Sequence, residues 1–399
     1  MSNKKKALLF LGLIGIISML SDFTHEGARS IYGPYLGLLG ASALVVSFVA
    51  GLGEFIGQAL RILTGIIADK TKKYWTMMIL GYSINLLVIP LLMFVTKEVW
   101  VIAIILILLE RVGKGIRAPA KSALTSFSTA EIGLGKAFAL QEAMDQLGAF
   151  LGPLFVFMVL GMNQGSQLKG YQLAFGLLGI FAIMTIVIIV IAKFKYPNPE
   201  QMEVSKGSKG FKSNPHFIIY LIAVMLIAIG FIDYPVLAFH ISKNTTFNPL
   251  YIPLLYALAM GIDAVAAVFF GYYYDKKGII SLMISVVFGG LIAPVFFLVD
   301  GIFGIILGVI LWGIAMGAQE SILKAVIASL VSKEKRATAY GIFYTAFGSA
   351  WFLGSLLIGL LYEYSLLGVV IFSSTFEILA FMALYYYHKK AGKRHGKTR

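Results

Sequence analysis

Acidic and basic residues recur at helical spacing within segments that are otherwise apolar. Asp22, Glu26 and Arg29 stand at positions i, i+4 and i+7, which places them on one face of a helix. Glu54 and Arg61 are seven residues apart in the next apolar segment and also share a face. Carboxylates beside guanidinium groups can take up and release a proton or bind a charged solute.

A second group of ionisable residues lies in two later apolar segments. Glu110 and Arg111 are in one of them, and Glu142 and Asp145 are in the next. A rise of about 1.5 Å per residue places Glu54, Glu110 and Arg111 near the middle of their segments, with Asp145 slightly to the cytoplasmic side. The C-terminal part of the chain offers fewer candidates, namely Asp233, Asp263 and Glu320. We therefore expect proton handling to be concentrated in the first half.

The composition shows which elements must position these side chains. Of 399 residues, 59% are apolar and 13% are charged, against about 25% charged in soluble domains. A soluble fold is excluded, and the absence of Cys excludes disulfides and thiolate chemistry. A membrane helix needs about 20 apolar residues, and twelve segments meet this need. They are 7–36, 40–68, 74–95, 99–118, 134–161, 171–193, 216–241, 249–274, 279–299, 302–325, 336–362 and 365–388.

The basic residues predict the orientation of these spans. Most of the 33 Lys and Arg lie at the termini and in alternate loops, whereas Lys97, Lys169 and Lys243 lie in the opposite loops. The positive-inside rule places both termini in the cytoplasm, and we expect a multi-pass protein of the plasma membrane. The net charge of +14 therefore reflects topology, and no nucleic-acid partner is expected.

An internal repeat divides the chain into two six-helix halves. The segment Gly65 to Lys70 recurs as Gly271 to Lys276, and matches in later spans follow at a similar offset of about 200 residues. We expect an N-terminal bundle at 1–194, a cytoplasmic linker at 195–215 and a C-terminal bundle at 216–399. Parallel six-helix repeats are typical of transporters with a site between the halves.

These motifs resemble the major facilitator superfamily over essentially the whole chain. Gly65, Asp69 and Lys70 are similar to the family's signature loop between the second and third helices, and Gly271 with Asp275 is similar to its second copy. The resemblance implies an all-α membrane fold with twelve helices in two pseudo-symmetric halves. It also implies that Asp69 is part of a latch on the cytoplasmic side.

Two further motifs bear on mechanism. Arg111 to Gly115 resembles a family signature whose arginine is associated with proton coupling, with Lys114 in place of its glutamine. Gly148, Gly152 and Pro153 resemble the start of a signature typical of exchangers that export their substrate. Small residues four apart and a proline are also typical of close helix packing.

Taken with the residues, the resemblance predicts a secondary transporter that exports a small, amphipathic or charged organic solute in exchange for protons. The alternatives are a proton-coupled importer of a polar solute, a divalent metal transporter using Asp22, His25 and Glu26, and a lipid scramblase. The sequence lacks the motifs of metalloproteases, serine hydrolases and phosphate-binding loops, so an enzyme is not expected. We expect a monomer without a cofactor, whose partners are its solute, protons and the bilayer.

Overall fold

A computed structural model describes residues 3–127, 134–162, 165–197, 215–243, 247–330 and 336–395. These residues are almost entirely helical, and no strand occurs among them. The helices are α1 (Asn3–Leu39), α2 (Ala43–Thr71), α3 (Tyr74–Leu87), α4 (Val101–Phe127), α5 (Leu134–Met162), α6 (Gln167–Lys195), α7 (Pro215–Gly230), α8 (Tyr234–Lys243), α9 (Ile252–Lys277), α10 (Ile280–Leu298), α11 (Gly301–Leu330), α12 (Arg336–Tyr364) and α13 (Leu366–His395). Short 3-10 turns lie at Pro90–Phe94, Lys97–Val99 and Pro249–Tyr251.

The twelve-span all-α fold predicted from the sequence is confirmed. Eleven segments of the described chain are long and apolar enough to cross a membrane, with α7 and α8 together forming one of them. The twelfth is α4, whose five ionisable side chains lower its hydropathy. Residues 198–214 of the predicted linker lie outside the described residues, so the domain boundaries stay a prediction.

The helices form two compact units, each with its own core. The first contains α1, α2 from Ile56 onward, α3 to α6 and the segment Pro249–Ala257. The second contains Ser42–Phe55, α7, α8, α9 from Leu258 onward and α10 to α13. Aromatic side chains are prominent in both cores, with Phe10, Trp75 and Tyr82 in the first.

The fourth span is longer than predicted. The apolar run ends at 118, but α4 continues through Pro119 to Phe127. The predicted end was wrong because Arg117 and Lys121 look like loop residues in a hydropathy profile. In the structure both side chains are buried and paired with acids, so the helix continues past them.

The seventh span is broken in its middle, which the hydropathy pattern does not show. Helix α7 ends at Gly230 and α8 begins at Tyr234. Neighbouring side chains bind the backbone carbonyls at the break: Ser373 donates a hydrogen bond to the Gly230 carbonyl at 2.6 Å, and Trp312 donates one to the Ile232 carbonyl at 2.9 Å. Non-helical backbone is tolerated at membrane depth where protein groups bind it in this way.

Candidate functional site

Close packing of α1 against α5 fixes the charged face of α1. A Cβ atom at Gly148 would overlap the carbonyl oxygen of Met19, and one at Gly152 would overlap that of Phe23. A Cβ at Gly27 would lie 3.2 Å from the Gly152 carbonyl carbon. Small residues at this spacing let two helix backbones approach closely. The glycines that resemble an exporter signature therefore have a packing role in this unit.

Glycines also bring α3 against α4. A Cβ at Gly113 would overlap the backbone of Asn85, and one at Gly81 would lie 2.6 Å from the Arg117 nitrogen. This contact places Tyr82 and Asn85 beside the charged stripe of α4. The sequence predictions had not included either of these α3 residues.

Glu110 lies at the centre of the charged groups. Its side chain is fully buried and accepts a hydrogen bond from the Asn85 amide. The Nδ1 atom of His25 is 2.8 Å from Glu110 Oε1, and Arg111 Nε is 3.3 Å from Glu110 Oε2. One carboxylate is thus in contact with an amide, an imidazole and a guanidinium group.

His25 connects Glu110 to a second acid. Its Nε2 atom lies 3.0 Å from Lys114 Nζ and 3.5 Å from Glu26 Oε1. Glu26 is also 3.6 Å from Arg29 Nη1 and accepts a 2.6 Å hydrogen bond from the Tyr256 hydroxyl. An imidazole with an acid near each ring nitrogen can pass a proton from one acid to the other.

Arg117 connects this chain of contacts to Asp22. Its Nη2 atom is 3.3 Å from Asp22 Oδ1, and its Nε atom donates a 3.0 Å hydrogen bond to Asn85 Oδ1. Its Nη1 atom bonds the Tyr82 hydroxyl at 3.1 Å, and the guanidinium carbon lies 4.5 Å from the centre of the Tyr82 ring. The planar guanidinium group is therefore fixed in several directions at once.

These side chains form one acid–base cluster within the first unit. Its members are Asp22, His25, Glu26, Arg29, Asn85, Glu110, Arg111, Lys114 and Arg117. Lys121 and Asp145 form a separate ion pair of 2.7 Å between α4 and α5. Most of its ionisable members are at helical spacing, with Asp22, Glu26 and Arg29 on α1 and Glu110, Lys114 and Arg117 on α4.

Three predicted residues do not join the cluster through any of these contacts. Glu142 is exposed on α5. Glu54 is partly buried and lies in the part of α2 that belongs to the second unit. Arg61 is partly buried on the other part of α2.

The acids predicted in the C-terminal half lie at three different helices of the second unit. Asp233 is buried at the start of α8, where its Oδ1 accepts a 2.8 Å hydrogen bond from the Tyr234 nitrogen. Asp263 is buried on α9, with Oδ1 2.7 Å from the position of a Cβ at Gly317. Glu320 is partly buried on α11.

The structure gives no support to the metal alternative. Among the described residues, no group of three or more His, Asp or Glu side chains is arranged to hold a metal ion. Asp22 is in contact with Arg117, while His25 faces Glu110 and Glu26.

The predicted latch residues lie at matching helix ends. Asp69 and Lys70 are exposed at the end of α2, and Asp275 is exposed at the end of α9. A Cβ at Gly65 would be 3.7 Å from the Pro119 ring on α4, and one at Gly271 would be 4.0 Å from Ser321 on α11. Each glycine therefore marks a helix contact within its own unit.

Two kinds of residue were missed by the sequence predictions. Tyr82 and Asn85 are polar groups within an apolar span, and Glu377 is an acid in the middle of the last one. The same rule that selected the other candidates, an ionisable or amide group at membrane depth, could have found Asn85 and Glu377.

Charged side chains within apolar helices are typical of membrane proteins that move ions or solutes. The family model of the Major Facilitator Superfamily matches residues 11–354 and 235–399. The chain belongs to this superfamily and is a multi-pass secondary transporter, a class that is not enzymatic.

Relatives and solved structures agree with this assignment. The uncharacterized protein Rv2265 of Mycobacterium tuberculosis is 34% identical over 383 residues, covering 94% of this chain and 92% of the relative. The MFS-type transporter MJ1317 of Methanocaldococcus jannaschii is 28% identical over 93% of both chains. The nucleoside transporter NupG has a TM-score of 0.77 at 15% identity, covering 95% of this chain and 99% of NupG. The peptide transporter POT has a TM-score of 0.72 at 14% identity, covering 96% and 94%.

Proposed function

We propose that this protein is a proton-coupled exporter of a small organic solute, and that the acid–base cluster of the first unit couples proton movement to transport. The observation that supports this proposal is the setting of Glu110. It is fully buried and contacts His25, Arg111 and Asn85 within a membrane span. Ionisable groups at membrane depth are costly, and they typically mark proton relays or solute sites.

The mechanism is alternating access, in which one repeat moves against the other around a central site. The proton affinity of a buried carboxylate depends on whether a base lies beside it. A small displacement of Arg111 relative to Glu110 would change the proton affinity of Glu110. His25 would then carry the proton between Glu110 and Glu26.

Export and the solute class are inferred from the sequence motifs and from the types of side chain present. Export follows from the resemblance of Gly148, Gly152 and Pro153 to the exchanger signature. Charged groups together with aromatic and apolar side chains would suit an amphipathic organic ion. NupG and POT, which bear the names of nucleoside and peptide transporters, share the fold at 14–15% identity and indicate no substrate here.

A purified monomer in liposomes would test coupling and direction together. A thermal-shift screen first selects the solute, because a ligand that binds only the folded state stabilises it. Solute movement against an imposed pH gradient is then recorded. Antiport predicts that solute and protons move in opposite directions. Movement in the same direction would establish the importer instead, and transport indifferent to the pH gradient would contradict proton coupling.

The proposed orientation places both termini in the cytoplasm and the protein in the plasma membrane. Lys70 and Lys97 are both exposed, and the positive-inside rule assigns them to opposite sides. Because the chain has no Cys, Lys70→Cys and Lys97→Cys each provide one thiol. In intact cells, an impermeant thiol reagent should label the variant at Lys97 and spare the one at Lys70. The reverse pattern would invert the topology.

A further inference from the structure

Glu377 is an acid that neither the proposed mechanism nor the family motifs use. It lies in the middle of α13, and its side chain is 2% exposed. Within the described part of the chain, neither of its carboxyl oxygens has a hydrogen-bond partner. This setting differs from that of Glu110, which is equally buried but has several polar neighbours.

Three glycines of neighbouring helices make room for this acid. A Cβ at Gly289 of α10 would lie 3.0 Å from Glu377 Oε1 and 3.2 Å from its carboxyl carbon. A Cβ at Gly290 would lie 3.3 Å from the Glu377 Cβ, and one at Gly230 would lie 3.3 Å from its Cγ. Gly230 is the last residue of α7, at the break in the seventh span. The acid is therefore enclosed by backbone from α7 and α10.

The helices around Glu377 supply no base at its depth. Helix α10 contains no Asp, Glu, His, Lys or Arg, and His216 of α7 lies fourteen residues before Gly230. The His, Lys and Arg residues of α13 all follow Tyr387, and the one base in the sequence of α12 is Arg336, its first residue. Asp233 faces its own helix start, where it accepts a hydrogen bond from Tyr234.

We propose that Glu377 is a second proton-binding site, whose side chain carries its proton as a neutral carboxylic acid within the second unit. An unpaired carboxylate in apolar surroundings costs far more free energy than the neutral acid does. A proton is the ligand that removes this charge without needing additional space. This proposal is independent of the coupling role assigned to the first unit, because it depends only on contacts around Glu377.

A cavity beside Glu377 gives a lipophilic reagent access to it. The cavity has a volume of about 430 Å³ and is lined mainly by apolar residues of α10 and α13, with Glu377 as its one ionisable lining residue. Val287, Leu291 and Ile378 line this cavity and are exposed. In membrane spans, exposed apolar side chains contact lipid. A reagent dissolved in the bilayer can therefore approach the acid from the α10–α13 side.

Infrared spectroscopy of the reconstituted full-length protein at neutral pH tests the protonation state. A neutral carboxylic acid has a C=O stretching band distinct from that of a carboxylate. Glu377→Gln should remove intensity from the acid band and leave the carboxylate band unchanged. The matched control is Glu98→Gln, because Glu98 is exposed outside the spans and a hydrogen bond from Thr96 lowers its pKa. The control should lose carboxylate intensity. Loss of carboxylate intensity in Glu377→Gln would overturn the proposal.

Carbodiimide labelling of the unmodified protein tests the proposal without a variant. Dicyclohexylcarbodiimide reacts with protonated acids: the carboxyl proton moves to a carbodiimide nitrogen and the carboxyl oxygen bonds the central carbon. The adduct then rearranges to a stable N-acylurea. Peptide mass mapping at neutral pH should find this adduct on Glu377 and none on Glu98. A native protein labelled on Glu98 but not on Glu377 would contradict a lipid-accessible neutral acid.

Discussion

The two compact units hold their buried acids in different surroundings. In the first unit, Glu110 is in contact with a histidine, an arginine and an asparagine. In the second unit, Glu377 lies among glycines and apolar side chains. The two halves of the sequence share short motifs, such as Gly65 to Lys70 and Gly271 to Lys276, yet Glu110 lies among charged groups and Glu377 does not. Shared motifs therefore do not determine the surroundings of the buried acids in each unit.

The largest loss of stability is expected from a substitution that breaks the packing of α1 against α5. Gly152→Leu places a side chain where even a Cβ would overlap the Phe23 carbonyl of α1. Because the overlap is with backbone, which cannot rotate away, the two helices must separate, and we expect this to cost more free energy than the loss of one ion pair of the cluster. We expect the monodisperse peak in size-exclusion chromatography to disappear. Gly161→Ala is the control, because a Cβ at Gly161 meets no atom within 4 Å. A folded Gly152→Leu variant would contradict the packing.

The second-largest loss of stability is expected at Arg117, whose side chain on α4 contacts residues of α1 and α3. Arg117→Met leaves the Asp22 carboxylate without its partner and removes hydrogen bonds to Tyr82 and Asn85. Breaking a buried ion pair costs about 3–5 kcal/mol. A clear decrease in melting temperature is expected, with partial recovery in the double variant carrying Asp22→Asn. Equal melting temperatures for Arg117→Met and the unmodified protein would show that the pair is not structural.

A smaller loss of stability is expected when the ion pair between Lys121 and Asp145 is broken. Lys121 and Asp145 contact each other across α4 and α5 at 2.7 Å. A double-mutant cycle with Lys121→Met and Asp145→Asn should give a coupling free energy of about 0.5–3 kcal/mol. Thermal unfolding of the two single variants and the double variant measures it. Additive effects would mean that the two side chains do not interact in the membrane.

The fold could be predicted from the sequence, whereas the site could be predicted only in part. Hydropathy gives eleven of the spans directly, because a long apolar segment is what crosses a bilayer. The other span, α4, was also predicted, although five ionisable side chains lower its hydropathy. Averaged hydropathy did not show the break after Gly230, because Asp233 is a single charge within a long apolar segment; Gly230, Asp233 and Pro235 are local signals that could have indicated it. Hydropathy also ended α4 too early, because Arg117 and Lys121 are stabilised by tertiary ion pairs.

Spacing along one helix predicts a shared face but no partner on another helix. Position within apolar segments therefore selected Glu110, which is in contact with other charged groups, together with Glu142, which is exposed. The connecting residues His25 and Asn85 belong to different helices, and their roles depend on how α1 and α3 pack against α4. That packing is determined by glycine contacts such as Gly113 against Asn85.

Proton flux in liposomes tests the central claim most directly, namely that the acid–base cluster couples protons to transport. A trapped pH dye records proton movement when solute is added, while counterflow of labelled solute measures exchange that needs no net proton movement. We predict that Glu110→Gln retains counterflow but loses solute-driven proton movement. Glu142→Gln, the exposed acid on α5, should retain both. Solute-driven proton movement in Glu110→Gln equal to that of the unmodified protein would contradict the account.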